Sequence, residues 1–296
     1  MTRQKMESPD TMQRRDFRLF HRLRVRWAEV DMQKIVFNAH YLMYIDTAMS
    51  DYWRALGLPY ESSMHALGGE MYVKKATVEY HASARLDDTL DVALKCARIG
   101  NSSCLFQAGI FSGDRLLISA ELVYVFADPA TQTSRPVPPA LRAIFDGFEA
   151  GHDMAEAKTG DWNTLGRDAG RVRTDVFVRE QGIPAEIEAD ANDISARHAV
   201  LYNRLGMPIA AGRLLQPEPG IGRIGRMAVD RSVRGGRWGR QLLDALVTAA
   251  RARGDREVQV HAQRSAEGFY RRAGFSVVGE PYEEAGIAHI AMAQRL

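Results

Sequence analysis

The stretch that most constrains the fold is residues 223–246, RIGRMAVDRSVRGGRWGRQLLDAL. Ile224, Met227 and Val229 are the apolar residues of a short strand, residues 233–239 form a basic loop, and Leu242, Leu243, Leu246 and Val247 recur at helical spacing. A loop that opens directly into a helix presents unpaired backbone N–H groups at the positive end of the helix dipole. Gly235 and Gly236 let the backbone approach an anion closely, and Arg234, Arg237 and Arg240 surround it with positive charge. Such a loop suits a pyrophosphate; an arginine-rich surface turn ahead of an ordinary core helix is the plainer alternative.

With 296 residues, 46% of them hydrophobic, the chain is long enough for two domains that each bury a core. Its formal net charge is only +2, so the whole protein is not built to bind a polyanion. The arginines cluster locally from Arg223 to Arg256, and no recognised nucleic-acid module accompanies them, which favours a small phosphorylated ligand over nucleic acid. Cys96 and Cys104 flank a turn and are too few for a disulfide framework, so reduced core thiols are expected. The N-terminus lacks an apolar signal stretch and no apolar run is long enough to span a bilayer; the expectation is a soluble, cytoplasmic protein.

Residues 1–15 are polar and unpatterned, which predicts a flexible tail. From Phe17 the chain alternates, with Leu19, His21, Leu23, Val25 and Trp27 on one face, as a strand does. Residues 39–56 place Leu42, Ile45, Met49, Tyr52, Trp53 and Leu56 on one broad helical face. Four strands follow over residues 71–81, 89–98, 103–112 and 115–127, separated by turn residues. One strand, one long helix and four antiparallel strands make an α+β domain over residues 16–148, in which the sheet can wrap the helix.

Residues 30–44, VDMQKIVFNAHYLMY, resemble the first-loop signature of hotdog-fold thioesterases of the 4-hydroxybenzoyl-CoA thioesterase type, Asp-Met-x-x-x-Val-x-Asn-Ala-x-Tyr-Leu. The likeness covers about residues 17–145. It implies that Asp31 is the catalytic carboxylate, as base or nucleophile, and that Asn38 sits near the N-terminus of the central helix, where backbone N–H groups polarise the thioester carbonyl. Lys34 stands where the family has a small residue. From residue types alone, Asp31 reads equally as a turn residue and Asn38 as a helix cap. The histidines His21, His40, His65 and His81 have no metal-ligand spacing, and no metal is expected.

Residues 149–160 are small, polar and weakly patterned, as a linker is, although part of them suits a first strand of the next domain. Over residues 161–296 a helix (164–180), an acidic loop (186–193) and strands at 196–203 and 208–215 precede the basic loop. A strand at 257–262, a short helix at 266–273 and two last strands follow it, an α/β pattern. The loop resembles the acetyl-CoA motif of the GNAT acyltransferases, Arg or Gln, two residues, Gly, one residue, Gly or Ala, with Arg237 at the middle-glycine place. Gln263, Ala266, Phe269, Tyr270, Gly274 and Phe275 match a second segment of that family, in which the tyrosine lies near the CoA sulfur and protonates the departing thiolate.

That resemblance implies direct acyl transfer from acetyl-CoA or another acyl-CoA to a small-molecule amine. Tyr270 is then the acid, and the backbone of Met227, Ala228 and Val229 holds the pantetheine arm. Arg234, Gly235, Gly236, Arg237, Trp238, Gly239, Arg240 and Gln263 complete the cofactor site. An amine is charged at neutral pH and needs a base, for which Glu180, Glu188, Asp190, Asp193 and His198 are candidates. Arg173 with Phe177, Glu188-x-Asp190-x-x-Asp193 and Arg213-Leu214-Leu215 also resemble acylhomoserine lactone synthases, which lack the arginine-glycine loop.

The expectation is a bifunctional acyl-CoA enzyme, hydrolysing thioesters in its first domain and transferring acyl groups in its second, and assembled as a dimer or tetramer through the hotdog unit. Two alternatives stay open: an acyltransferase whose first domain is a dimerisation and acyl-binding scaffold, and a non-enzymatic CoA sensor.

Overall fold

A computed structural model describes residues 12–188, 190–284 and 286–296. The chain divides into two compact units, Met1–Met154 and Ala155–Leu296.

Unit 1 runs β1 (Leu19–Arg24), α1 (Asn38–Ala55), α2 (Tyr60–Leu67), β2 (Glu70–Tyr80), β3 (Thr89–Ile99), β4 (Ser103–Ser112), β5 (Arg115–Ala127) and α3 (Pro139–Glu149). The strands form one antiparallel sheet in the order β1-β3-β4-β5-β2. The central strands have both faces covered, so runs such as Leu90–Leu94 are buried without interruption, whereas β2 at the edge is mostly exposed. Helix α1 lies against β3 and β1 and buries Tyr41, Tyr44, Ile45, Ala48, Met49 and Tyr52, a stripe at helical spacing. Helix α2, which has no counterpart in the sequence reading, ends in Gly68 at φ 73°, the left-handed stop that glycine adopts most easily.

The helix and sheet of this unit are tied through one carboxylate. The Tyr52 hydroxyl of α1 donates to Glu149 Oε1 of α3 at 2.6 Å, and the same oxygen accepts the Cys96 N–H of β3 at 2.9 Å, beside a bulge between Cys96 and Arg98. The Tyr52 ring meets Phe106 and Phe148 edge-on, with centroids 5.4 and 5.1 Å away. Both cysteines are free.

Unit 2 continues with β6 (Ala155–Gly160), α4 (Trp162–Arg173), a π-helical turn (Thr174–Glu180), α5 (Ala185–Glu188), α6 (Asn192–Ser195), β7 (Arg197–Asn203), β8 (Pro208–Glu218), β9 (Ile221–Val229) and α7 (Trp238–Arg253). It closes with β10 (Glu257–Gln263), α8 (Glu267–Arg272), β11 (Ser276–Val277), β12 (Tyr282–Glu284) and β13 (Ile287–Arg295). The sheet order is β11-β13-β10-β9-β8-β7-β6, with β12 beside β13. Among the described residues only β9 and β10 are parallel, and α7 is the crossover that a parallel pair requires. Leu165, Ala169, Val172 and Val176 pack on one face of the sheet against Val200, Ala211 and Ala228.

Three boundaries differ from the sequence reading. Residues 1–11 of the expected tail lie outside the described residues, and the rest of it is anchored, because Arg14 Nη1 donates to Asp91 Oδ2 at 2.9 Å and to the Gly113 carbonyl at 3.1 Å. The expected linker 149–160 is shorter: Glu149 ends α3, and residues 155–160 are a strand because they pair with residues 198–203 of β7. The helix expected over 164–180 is α-helical only to Arg173. No helix among the described residues is long and apolar enough to cross a membrane.

Tyr52→Phe keeps the ring packing and removes one hydrogen bond to a charged group. The expected loss is about 1.5–3 kcal/mol of unit 1 stability, read as a lower urea midpoint at unchanged slope.

Candidate functional site

The site in unit 2 begins with an irregularity in β9. Pairing with β8 runs Ala210↔Val229 and Ala211↔Ala228, then resumes at Arg213↔Gly225, so Arg226 and Met227 stand opposite the single residue Gly212. Arg226 has φ 52°, and the bulge adds local twist. A Cβ on Gly212 would come within 2.8 Å of Leu246 Cδ1 and 2.9 Å of Met227 Sδ, so a larger residue there makes those side chains move. On its other side β9 pairs with β10 only as far as Ile224↔Val260. Gly225–Val229 therefore leave an open backbone edge where the two parallel strands part.

Below that opening lies a cavity of about 600 Å³. Met227 and Val229 line it, with Arg234, Gly235, Arg237, Trp238, Gly239 and Arg240 from the loop and first turn of α7, and Tyr270 from α8. Val176 and Gln181, which the sequence reading did not single out, close one side. Of the residues expected at the cofactor site, Ala228 instead points into the core and is 1% exposed, while Gly236 and Gln263 do not line the cavity. Gln263 reaches its rim by a 3.4 Å contact with Gln181.

No side chain caps the N-terminus of α7, and the positive end of its dipole faces the loop, as in an anion site. Gly235 (φ 96°) and Arg237 (φ 68°) both take the left-handed conformation. Arg237 thus adopts the geometry that a middle glycine would supply, at a cost of about 1–2 kcal/mol for a residue with a Cβ. Arg234 is held in place by its Nε–H to the Val229 carbonyl (3.0 Å) and a fork onto Glu180 (2.6 and 2.7 Å).

Tyr270 is 7% exposed and packs edge-on against Phe269 and Phe275. Its hydroxyl has no hydrogen-bond partner among the described residues, and burial pushes its pKa up to about 12, so it carries its proton at neutral pH. That is the state a proton donor to a leaving group needs.

The five candidate bases are engaged elsewhere. Arg173, 1% exposed, binds Asp193 through two nitrogens at 2.8 and 2.9 Å, the Glu188 carbonyl at 3.0 Å, and the Glu188 carboxylate through Nε. Arg213 adds contacts to Asp193 (2.8 Å) and Asp190 (2.7 and 3.0 Å), and Arg226 holds the Ile187 and Glu188 carbonyls at 2.8 and 3.1 Å. Burial raises the Asp190 and Asp193 pKa values, but hydrogen bonds from these arginines outweigh it and hold both below the usual range. Arg234 does the same to Glu180, chiefly through the hydrogen bonds. Groups so depressed are poor proton acceptors at neutral pH. His198 is fully buried against Trp162 and donates Nε2–H to the Asp193 carbonyl at 2.8 Å, while burial keeps its ring neutral.

In unit 1, Asp31 sits half-exposed in a tight loop closed by the Val30↔Val36 bridge, and its Oδ1 accepts the Gln33 N–H at 2.8 Å. Lys34 turns the loop at φ 62°. The loop is anchored by Glu29, 3% exposed, which accepts from the Tyr44 hydroxyl (2.6 Å) and from Arg26 N–H and Nε–H (2.8 and 2.7 Å). Burial raises the Glu29 pKa, but these hydrogen bonds lower it further, so it stays ionised. Asn38 does not cap α1: Phe37 occupies the cap position, and Asn38 is the exposed first helical residue. The capless first turn still leaves N–H groups next to the Asp31 loop.

Two outcomes follow from this geometry. Arg237→Gly removes the left-handed penalty and one cationic group, so thermal stability is kept or raised while calorimetric coenzyme A affinity falls about tenfold. Arg173→Met leaves the Glu188 carboxylate buried without its close partner and Asp193 with Arg213 alone, and lowers unit 2 stability by about 3–5 kcal/mol, seen in its denaturant midpoint.

Comparison with known proteins agrees with both units. The pattern of the Acetyltransferase (GNAT) domain family matches residues 168–296, and that of the Thioesterase-like superfamily matches residues 25–145. The uncharacterized N-acetyltransferase YjcF of Bacillus subtilis is 36% identical over 127 residues, which cover 43% of this chain and 89% of that one. The acyl-CoA thioester hydrolase YbgC of Escherichia coli is 30% identical over 127 residues, covering 42% of this chain and 92% of that one. A crystal structure of an acyl-CoA N-acyltransferase from Pseudomonas aeruginosa is 32% identical and covers 47% of this chain and 99% of its own, with a TM-score of 0.44. The chain is a fusion that belongs to the thioesterase-like superfamily through its first unit and to the GNAT acetyltransferases through its second.

Proposed function

We propose that the second unit transfers an acyl group, acetyl in the simplest case, from coenzyme A to a small-molecule amine, and that the first unit hydrolyses acyl-CoA. The observation that carries the transferase reading is the open β9 edge above a cavity that also holds Tyr270 and the capless α7 N-terminus. In this reading the pantetheine amides pair with the edge of Met227–Val229, as an added strand would. The pyrophosphate lies on the α7 N–H groups beside Arg237 and Arg240. The protonated Tyr270 hydroxyl gives its proton to the departing sulfur, and the tetrahedral intermediate collapses to the amide.

For the first unit, a half-exposed Asp31 beside the unfilled N–H groups of α1 supports a carboxylate that attacks or activates water, with an oxyanion held by the helix N-terminus. A second reading, in which this unit is an acyl-binding scaffold only, is favoured by the Asp31 carboxylate's place in its own turn with Gln33. Around that loop Trp27, Met32, Phe37 and Met43 are 79, 100, 47 and 56% exposed, large apolar side chains that a second copy of the unit would cover; we propose a homo-oligomer on this basis.

Free-thiol release from a series of acyl-CoAs, with and without primary amines, separates the two sites. Asp31→Ala is expected to abolish amine-independent release alone. Tyr270→Phe is expected to lower amine-dependent release by about 10²-fold, the scale of one lost proton donor, with coenzyme A affinity kept. Amine-independent release that is indifferent to Asp31 favours the scaffold reading.

A further inference from the structure

The transferase reaction needs a proton acceptor for its amine, and the carboxylates of Glu180, Glu188, Asp190 and Asp193 are all bound to arginines. We propose that His261 is that acceptor, its Nε2 taking the proton of the substrate ammonium at the mouth of the gap between β9 and β10. The inference rests on the acyl-transfer reading of the second unit.

Position is the first argument. His261 is the first residue of β10 beyond the last pair with β9, Ile224↔Val260, while β10 stays paired with β13 through Gln263↔His289. Val258, Val260 and Ala262 alternate into the core, so His261 lies on the other face with Gln259 and Gln263. Gln263, two residues or about 7 Å along the strand, touches Gln181 at the cavity wall.

Orientation is the second. Tyr282 Oη lies 2.7 Å from His261 Nδ1, and the Tyr282 ring stacks on His289, its partner in the β12–β13 ladder, at a centroid distance of 5.8 Å. When Nδ1–H donates to Tyr282 Oη, Nε2 holds the lone pair, and Nε2 has no hydrogen-bond partner among the described residues. The contact fixes the ring plane, and in the tautomer whose Nδ1–H donates to the phenol oxygen the accepting nitrogen is Nε2. Burial, then the Arg223 cation on β9 and His289 on β13, lower the His261 pKa, and Glu284 on β12 opposes them, so the ring is neutral at pH 7 and free to accept.

The step balances. The ammonium loses one proton to Nε2, which passes it to solvent, and the neutral nitrogen forms the C–N bond. On collapse the C–S bond breaks, the thiolate takes the Tyr270 proton, and the second nitrogen proton restores the phenol.

The test uses the full chain with acetyl-CoA and a panel of n-butylamine, ethanolamine and tyramine. For the amine that wild type acylates fastest, His261→Ala is expected to lower kcat/KM by about 10²–10⁴-fold with unchanged coenzyme A affinity. Added imidazole restores part of the rate. Wild type loses activity as pH falls through a pKa below 6.5, where Nε2 becomes protonated, and that limb is absent in the variant. Tyr282→Phe shifts the limb and keeps measurable turnover. Activity of His261→Ala within about threefold of wild type, or a loss that imidazole does not rescue and that leaves the acidic limb in place, overturns the inference and leaves the transferase reading standing. Coenzyme A binding without acylation of any amine by wild type overturns the transferase reading, and this inference with it.

Discussion

The second unit depends on two parallel strands that part company. A backbone edge that loses its neighbour inside a sheet must bond to something else, because an unpaired peptide group costs about as much as a lost hydrogen bond. In β9 the parting follows from one extra residue: with Arg226 and Met227 opposite Gly212, the strand twists away after Ile224 and β10 continues without it. The cavity, the glycine-arginine loop and Tyr270 all face that opening, so the irregularity turns a closed sheet into one with an open backbone edge beside a cavity.

The bulge is secured by charge rather than by apolar packing. Arg226, at its apex, grips the Ile187 and Glu188 carbonyls, and Arg173 and Arg213 lock Glu188, Asp190 and Asp193 behind it. Burying so many ions adds little net stability, since their desolvation offsets their attraction. What the cluster supplies is position, for it fixes Glu188, Asp190 and Asp193 against a strained strand with directional bonds. It also removes those carboxylates from proton transfer, which leaves the chemistry to groups whose pKa is nearer neutrality.

The first unit solves a simpler problem. Its long helix is buried on a broad aromatic face against an antiparallel sheet, and Glu149 and Glu29 pin the helix to the sheet and to the Asp31 loop. Both carboxylates are tied by tyrosine hydroxyls from α1, so the helix that fills the core also sets the geometry of the loop.

Much of this was legible in the sequence wherever a repeat carried it. Alternation gave most strands of both units, helical spacing gave α1, α4 and α7, and the glycines and arginines of residues 234–240 marked the loop that enters α7. Periodicity is blind to what has no period. The π-helical turn after Arg173 keeps the helical composition, β6 is too polar to stand out from a linker, and the β9 bulge is one residue long. The acidic run Glu188-x-Asp190-x-x-Asp193 was visible, but whether it faces water or three arginines depends on Arg173, Arg213 and Arg226, which come from three other elements. His261 is an ordinary strand residue until Tyr282, 21 residues on, is folded back against it. The sequence by itself determined most of the strands and helices and that a glycine- and arginine-rich loop leads into α7, because those are local properties of neighbouring residues. Only the tertiary structure decided which polar groups are paired and which stand open, because pairing is made between distant segments and depends on where the sheet separates.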